Sequence, residues 1–153
     1  QTESLIGGAV VDGAMMRQFR ALAPQATLGD ALAAGLAGEQ TDFPVLDRDR
    51  VVGVLAQSDL IRGLSEAGRD GLVADYMNDD FVTAEAGELL DEAFRKLQTC
   101  RCRTIPVLRD GRLEGLLTHD NMRTYLGIRN ALAAWRPGVR PAVGYRSNSP
   151  NIL

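Results

Sequence analysis

The feature that most constrains this chain is that it repeats. Shifted against itself by 62 positions, the sequence aligns without a gap. Phe43-Pro44-Val45-Leu46 falls on Ile105-Pro106-Val107-Leu108, Arg50 on Arg112, Gly53 on Gly115, Leu55 on Leu117 and Leu64 on Leu126. Upstream, Met15 pairs with Met77, Phe19 with Phe81, Leu28 with Leu90 and Ala31 with Ala93. Eleven of the 51 positions from Ala14 to Leu64 are identical to their partners. One offset that holds across strand, turn and helix signals means a duplicated supersecondary unit. A unit of about 60 residues sits near the lower limit for an independent core, so each copy is the natural cover for the other.

The second copy is the clearer to read. Ile105-Pro106-Val107-Leu108 is an apolar run too short for a helix and rich in strand formers. Arg109-Asp110-Gly111-Arg112 offers Gly111 a left-handed turn position that other residues reach only at a cost. Leu113 to Leu117 resumes the strand, and Thr118-His119-Asp120-Asn121 is a helix N-cap pattern. Ahead of this hairpin, Leu89, Leu90, Ala93, Phe94 and Leu97 recur at helical spacing. Each unit therefore reads as an entry strand or turn into a short helix (Val10 to Met16; Val73 to Met77) and then a short strand (Phe19 to Leu22; Phe81 to Thr83). An amphipathic helix follows (Leu28 to Leu36; Leu89 to Thr99), then the hairpin, then a closing helix (Ser58 to Ala67; His119 to Trp135). Ser65 to Asp70, with Gly68, serves as linker. The expected fold class is α+β, with units at residues 10–68 and 72–134 packed as a pseudo-twofold pair, sheet against sheet and helices outside.

Residues 135–153 lack periodicity and are rich in breakers, which predicts a disordered tail. Its Arg136, Arg140 and Arg146 offer only thin support for a lipid or acidic partner. The net charge of -3 argues against a nucleic-acid partner. No run approaches the roughly 18–20 apolar residues of a membrane span. A signal-peptide pattern is missing too, and the start at Gln1 suggests a piece of a longer protein. Cys100 and Cys102 with a single histidine cannot complete a zinc site, and a bridge across that spacing on an extended segment would be strained. Two reduced, partly buried thiols in a cytosolic setting are expected. No Ser/His/Asp or Cys/His constellation can be assembled around His119, so the chain is expected to be non-catalytic.

Two copies of apolar-Pro-Val-apolar, turn, Gly-apolar-apolar and a Ser/Thr-x-x-Asp-like element resemble a tandem pair of cystathionine-β-synthase (CBS) domains, over roughly Val10 to Ile128. The resemblance implies a β-α-β-β-α unit used twice (a Bateman module) and a regulatory role. It also implies a homodimer and an adenine nucleotide (AMP, ADP or ATP) bound between the units, with no cofactor required. The run from Leu116 to Met122 into Tyr125 to Leu132, with Val10 to Met16 upstream, resembles the CBS pair that follows the membrane core of some bacterial site-2-type zinc metalloproteases. That core is absent, since there is no His-Glu-x-x-His and no membrane span. This finer resemblance implies a cytoplasmic module tethered through a membrane-protease parent; a channel, a dehydrogenase or a stand-alone regulator are the alternative parents.

The resemblance places ligand contacts at Asp59, Thr118 and Asn121, at Arg103 and Thr104, and at the strand entries Ile105-Pro106 and Phe43-Pro44. Chemically, a Ser/Thr hydroxyl at a helix N-terminus favours phosphate oxygens, and an Asp carboxylate can accept both ribose hydroxyls. Neither copy is complete. Ala56-Gln57-Ser58-Asp59 keeps the carboxylate without the hydroxyl, and Thr118-His119-Asp120-Asn121 keeps the hydroxyl with an amide for the carboxylate. Thr118 with Asn121 also suits plain helix capping, and Asp59 suits a first-turn acid. Arg101, Arg103 and Thr104 give the second unit basic groups where the first has Glu39 and Asp42, and Asp42 would repel a triphosphate. A composite site drawing on both units, a ligand-free interaction module, and solvated arginines at a strand edge all stay open.

Overall fold

The structure, a computed structural model, describes residues 9–100 and 102–138. The first unit holds helix α1 (Leu28–Ala37), strands β1 (Phe43–Asp47) and β2 (Arg50–Leu55) and helix α2 (Gln57–Ala67). A one-turn helix α3 (Val73–Tyr76) leads to the second unit. There β3 (Ala84–Glu85), α4 (Leu90–Cys100), β4 (Thr104–Arg109), β5 (Arg112–Thr118) and α5 (His119–Ala134) follow in the same order. A 3₁₀ turn at Val11–Gly13 is the counterpart of α3. The fold is α+β, with a two-stranded sheet β1-β2 and a three-stranded sheet β3-β4-β5.

Each hairpin carries a proline in mid-strand, which needs explaining because proline cannot donate to a ladder. Pro44 lies opposite Val54, and Pro106 opposite Leu116. Val54 turns its N–H and C=O away from the proline, to Asn78 of the other unit (3.0 and 2.9 Å), and Leu116 does the same with Met16 (2.9 and 2.7 Å). The prolines therefore face residues that ask nothing of them. Both hairpins also shift register at the same place, between Val45 and Leu46 and between Val107 and Leu108. The turn of the second has Asp110 and Gly111 at φ 54° and 82°, so the glycine takes the left-handed position its sequence suggests.

Two buried clusters form, and each borrows from the other unit. Val11 and Met15 pack with Leu90, Leu97, Ile105, Val107 and Leu117 of the second unit. Val73 and Met77 pack with Leu28, Phe43, Val45 and Leu55 of the first. The entry segments are thus exchanged. Two glycines make the exchange possible: a Cβ on Gly53 would lie 2.7 Å from the Met77 sulfur, and one on Gly115 would lie 2.7 Å from the Met15 sulfur.

Three local expectations shift. Of the short strands expected at Phe19 to Leu22 and Phe81 to Thr83, only Leu22 pairs, in parallel with Val45, while β3 starts at Ala84 opposite Val107. Leu22 and Ala84 are the residues that enter the cores, and the phenylalanines lie ahead of them only partly buried. Ser65 to Ala67, read as linker, continues α2, which stops at Gly68 (φ 72°). Cys100 and Cys102, expected as two separate thiols, are brought sulfur to sulfur as a pair. Cys100 is still helical, not extended, and its Cα lies 5.1 Å from that of Cys102, within the ordinary span. Trp135 to Gly138 follow α5 and are exposed; the rest of the expected tail, with Arg140 and Arg146, lies outside the described residues, as does Arg101. Among the described residues no helix is long and apolar enough to cross a membrane.

Candidate functional site

Helix α5 begins at a reciprocal cap. The Asn121 N–H donates to the Thr118 hydroxyl oxygen (2.9 Å), and the Thr118 N–H donates to Asn121 Oδ1 (3.2 Å). The Thr118 hydroxyl in turn donates to the same Oδ1 (2.7 Å). The capping role that the sequence offers is therefore realised. Asn121 Oδ1 is saturated by this, which leaves its amide N–H groups as the polar face available to a ligand.

This helix start opens onto a cleft of about 590 Å³ built from both units. Met16, Gln18, Phe19 and Arg20 come from the entry segment, Gly38 to Asp42 from the turn between α1 and β1, and Arg103 and Thr104 from the head of β4. Leu116 and Thr118 to Asn121 complete the wall. Apolar surface from Met16, Phe19 and Leu116 beside a few polar groups is the usual make-up of a small-molecule site. Gln40 fixes one wall: its amide accepts from the Arg20 N–H (2.8 Å) and donates to the Arg20 and Asp42 carbonyls (2.9 Å each).

Asp42 is the buried charge here, 4% exposed. Its Oδ2 accepts from the Thr104 hydroxyl (3.1 Å) and its Oδ1 from the Gln57 N–H in the first turn of α2 (3.1 Å). A carboxylate at a helix N-terminus is favoured by the unpaired N–H groups and the dipole.

The residues proposed from sequence divide. Thr118, Asn121, Arg103 and Thr104 come together in the cleft, with Arg103 exposed and Thr104 buried. Asp59 is not among its lining residues. It opens α2, where it accepts the Ala56 N–H (3.0 Å) and lies 3.5 Å from the Arg62 guanidinium. Phe43 and Ile105 are core residues, and Pro44 and Pro106 are buried within the hairpins; none of the four lines the cleft. Gln40, Met16 and Phe19 were not singled out for a site. Gln40 had no signal in the sequence, because its role depends on a turn that folds it back on Arg20. Among the described residues, no group of three or more His, Cys, Asp or Glu is placed to hold a metal ion.

The CBS domain family matches residues 9–66 and 73–128. The chain belongs to that family, as a tandem pair, a class of regulatory rather than catalytic module. It is similar to the AcuB protein of Vibrio cholerae, with a TM-score of 0.74 at 20% identity over 84% of this chain and 98% of that one. It is also similar to CBSX2 of Arabidopsis thaliana. The CBSX2 structure in complex with AMP gives a TM-score of 0.68 at 28% identity, over 80% of this chain and 99% of that one. Among curated proteins, an inosine-5'-monophosphate dehydrogenase of Nitrosopumilus maritimus is 32% identical over 126 residues, 80% of this chain. The chain spans only 26% of that dehydrogenase.

Proposed function

We propose that this CBS pair senses an adenosine-containing ligand, seated in the cleft at Thr118 and Asn121, and passes its occupancy to an attached protein. The observation that carries the reading is the capped start of α5 opening onto a cleft walled by both units. A ligand there touches the two halves at once, so binding energy can bias how they pack. The similarity to CBSX2, solved with AMP, supports the ligand class. Calorimetric titration of the purified chain with AMP, ADP and ATP tests it. Saturable binding weakened by Thr118→Ala is expected, and no binding of any adenosine compound contradicts it.

The same reading includes a homodimer, supported by Ile61 on α2 and Ile128 and Leu132 on α5, which are 61%, 55% and 63% exposed. For the parent, the run from Leu116 to Leu132 supports a membrane zinc metalloprotease, which would hold this module at the cytoplasmic side of a membrane. The dehydrogenase relative supports a different parent. Reading the codons before Gln1 decides between them. A His-Glu-x-x-His within a membrane helix is the result the protease parent requires, and a dehydrogenase barrel excludes it.

A further inference from the structure

Cys100 and Cys102 are the two cysteines of the chain, and neither lines the cleft. They flank the connection from α4 to β4: Cys100 is the last residue of α4, and Cys102 stands two residues before the first of β4. The fold brings them sulfur to sulfur, with Cα atoms 5.1 Å apart, inside the span that a disulfide bridges without backbone movement. Both are half-buried, within reach of a small reagent. Cys100 Sγ accepts from the Cys102 N–H (3.2 Å), a contact that favours charge on that sulfur and marks it as the attacking thiolate. Two other roles are excluded by the spacing and the surroundings. Cross-linking stabilises more the longer the loop it closes, and a loop with one residue between its ends is near the minimum, so a bridge here is no staple. A structural metal needs about four ligands, and among the described residues no third His, Cys, Asp or Glu joins the pair.

Cys102 adjoins Arg103 and Thr104, which line the cleft. The Arg103 carbonyl accepts from the His119 N–H at the start of α5 (3.2 Å), and Thr104 donates to Asp42 (3.1 Å). A bond made or broken at Cys102 therefore acts on backbone that runs directly into the cleft wall. We propose that Cys100 and Cys102 are a reversible thiol–disulfide exchange site, oxidised by a small disulfide such as oxidised glutathione, and that its state is felt at that wall. The Cys100 thiolate attacks one sulfur of oxidised glutathione, forming a mixed disulfide and releasing one glutathione thiolate. The Cys102 thiolate then attacks the Cys100 sulfur and releases the second. Two electrons pass from the protein to glutathione, and the two cysteine protons end on the two glutathione thiolates. The proposal does not depend on what the cleft binds.

The test incubates the full chain with reduced and oxidised glutathione in graded ratios, traps free thiols by acid and alkylation, and reads the intact mass. Both thiols are expected to be lost together, giving a product two hydrogens lighter that dithiothreitol reverses. Cys100→Ser and Cys102→Ser should each stop at one glutathione adduct; if either variant fails to fold, the wild-type series decides alone. In the amide spectrum of the ligand-free wild type, oxidation should shift Arg103, Thr104 and His119. Thiols that stay free at every ratio, or two glutathione adducts on one chain, overturn the site. Oxidation without those shifts overturns its link to the cleft.

Discussion

Thr104 donates its hydroxyl to Asp42 at 3.1 Å, and the two residues, 62 apart, are each other's counterpart in the repeat. They meet where the two units face one another. The duplication has thus been broken at its centre: one copy supplies a hydroxyl and the other a carboxylate, and the pair is bonded because they differ.

Removing both members should therefore cost less than the two single removals added together. Asp42→Ala leaves the Thr104 hydroxyl and the Gln57 N–H without partners, and an unpaired buried donor costs about 1–3 kcal/mol. Thr104→Val leaves Asp42 with one donor. In urea unfolding, the double variant should lose less than the sum of the singles, by roughly 0.5–3 kcal/mol, as contacting residues do. Strict additivity would mean that the bond contributes nothing.

Gly53→Ala and Gly115→Ala should be nearly equal in cost. The added methyl of the first meets the Met77 sulfur at 2.7 Å and the Asn78 carbonyl at 3.1 Å; the second meets the Met15 sulfur at 2.7 Å and the Met16 carbonyl at 2.9 Å. The methionine ends can move, but the backbone carbonyls cannot readily do so. Overpacking of this kind costs about 1–3 kcal/mol. A fall in denaturation midpoint for one variant and none for the other would show that the exchanged segments are not held alike.

Asn121→Asp should tighten adenosine binding, about threefold to tenfold, because a carboxylate accepts ribose hydroxyls with charge assistance where the amide does not. The cap survives, since Asp accepts the Thr118 N–H as well as Asn does and suits a helix start. Thr118→Val should instead lose about 1 kcal/mol of stability with the cap, and weaken binding. Unchanged affinity in both variants would move the ligand away from this helix.

Light scattering should give twice the chain mass at micromolar concentration. Ile61→Lys with Leu132→Lys should return it to a monomer, because charges on an apolar interface are costly to bury. A monomer at every concentration would remove the homodimer from the account.

The offset of 62 residues made the pair, the hairpins and the helices legible, down to Gly111 in its turn. The exchange of Val11 and Met15 for Val73 and Met77 was not, although Gly53 and Gly115 marked it; a glycine in a strand says that something approaches closely, not what. The cleft was legible by half. Thr118, Asn121, Arg103 and Thr104 follow from the repeated helix start and strand entry, and the structure brings them together. The apolar-Pro entries Phe43-Pro44 and Ile105-Pro106 do not line this cleft, and an apolar strand residue beside a motif reads the same whether it faces a ligand or the core. Asp42 could be seen as a charge hostile to phosphate. That it sits in a cleft shared by both units, against Thr104 of the other, depends on how the copies pack, which no pattern within one copy records.

The central claim is that one cleft, at the start of α5, holds the ligand. The most direct test is the amide spectrum of the isotope-labelled chain during titration with adenosine and, separately, AMP. Shifts concentrated at Phe19, Arg103, Thr104 and Thr118 to Asn121 are the predicted result. No shifts with either compound, or shifts confined to Ala56 to Asp59 at the start of α2, would contradict it.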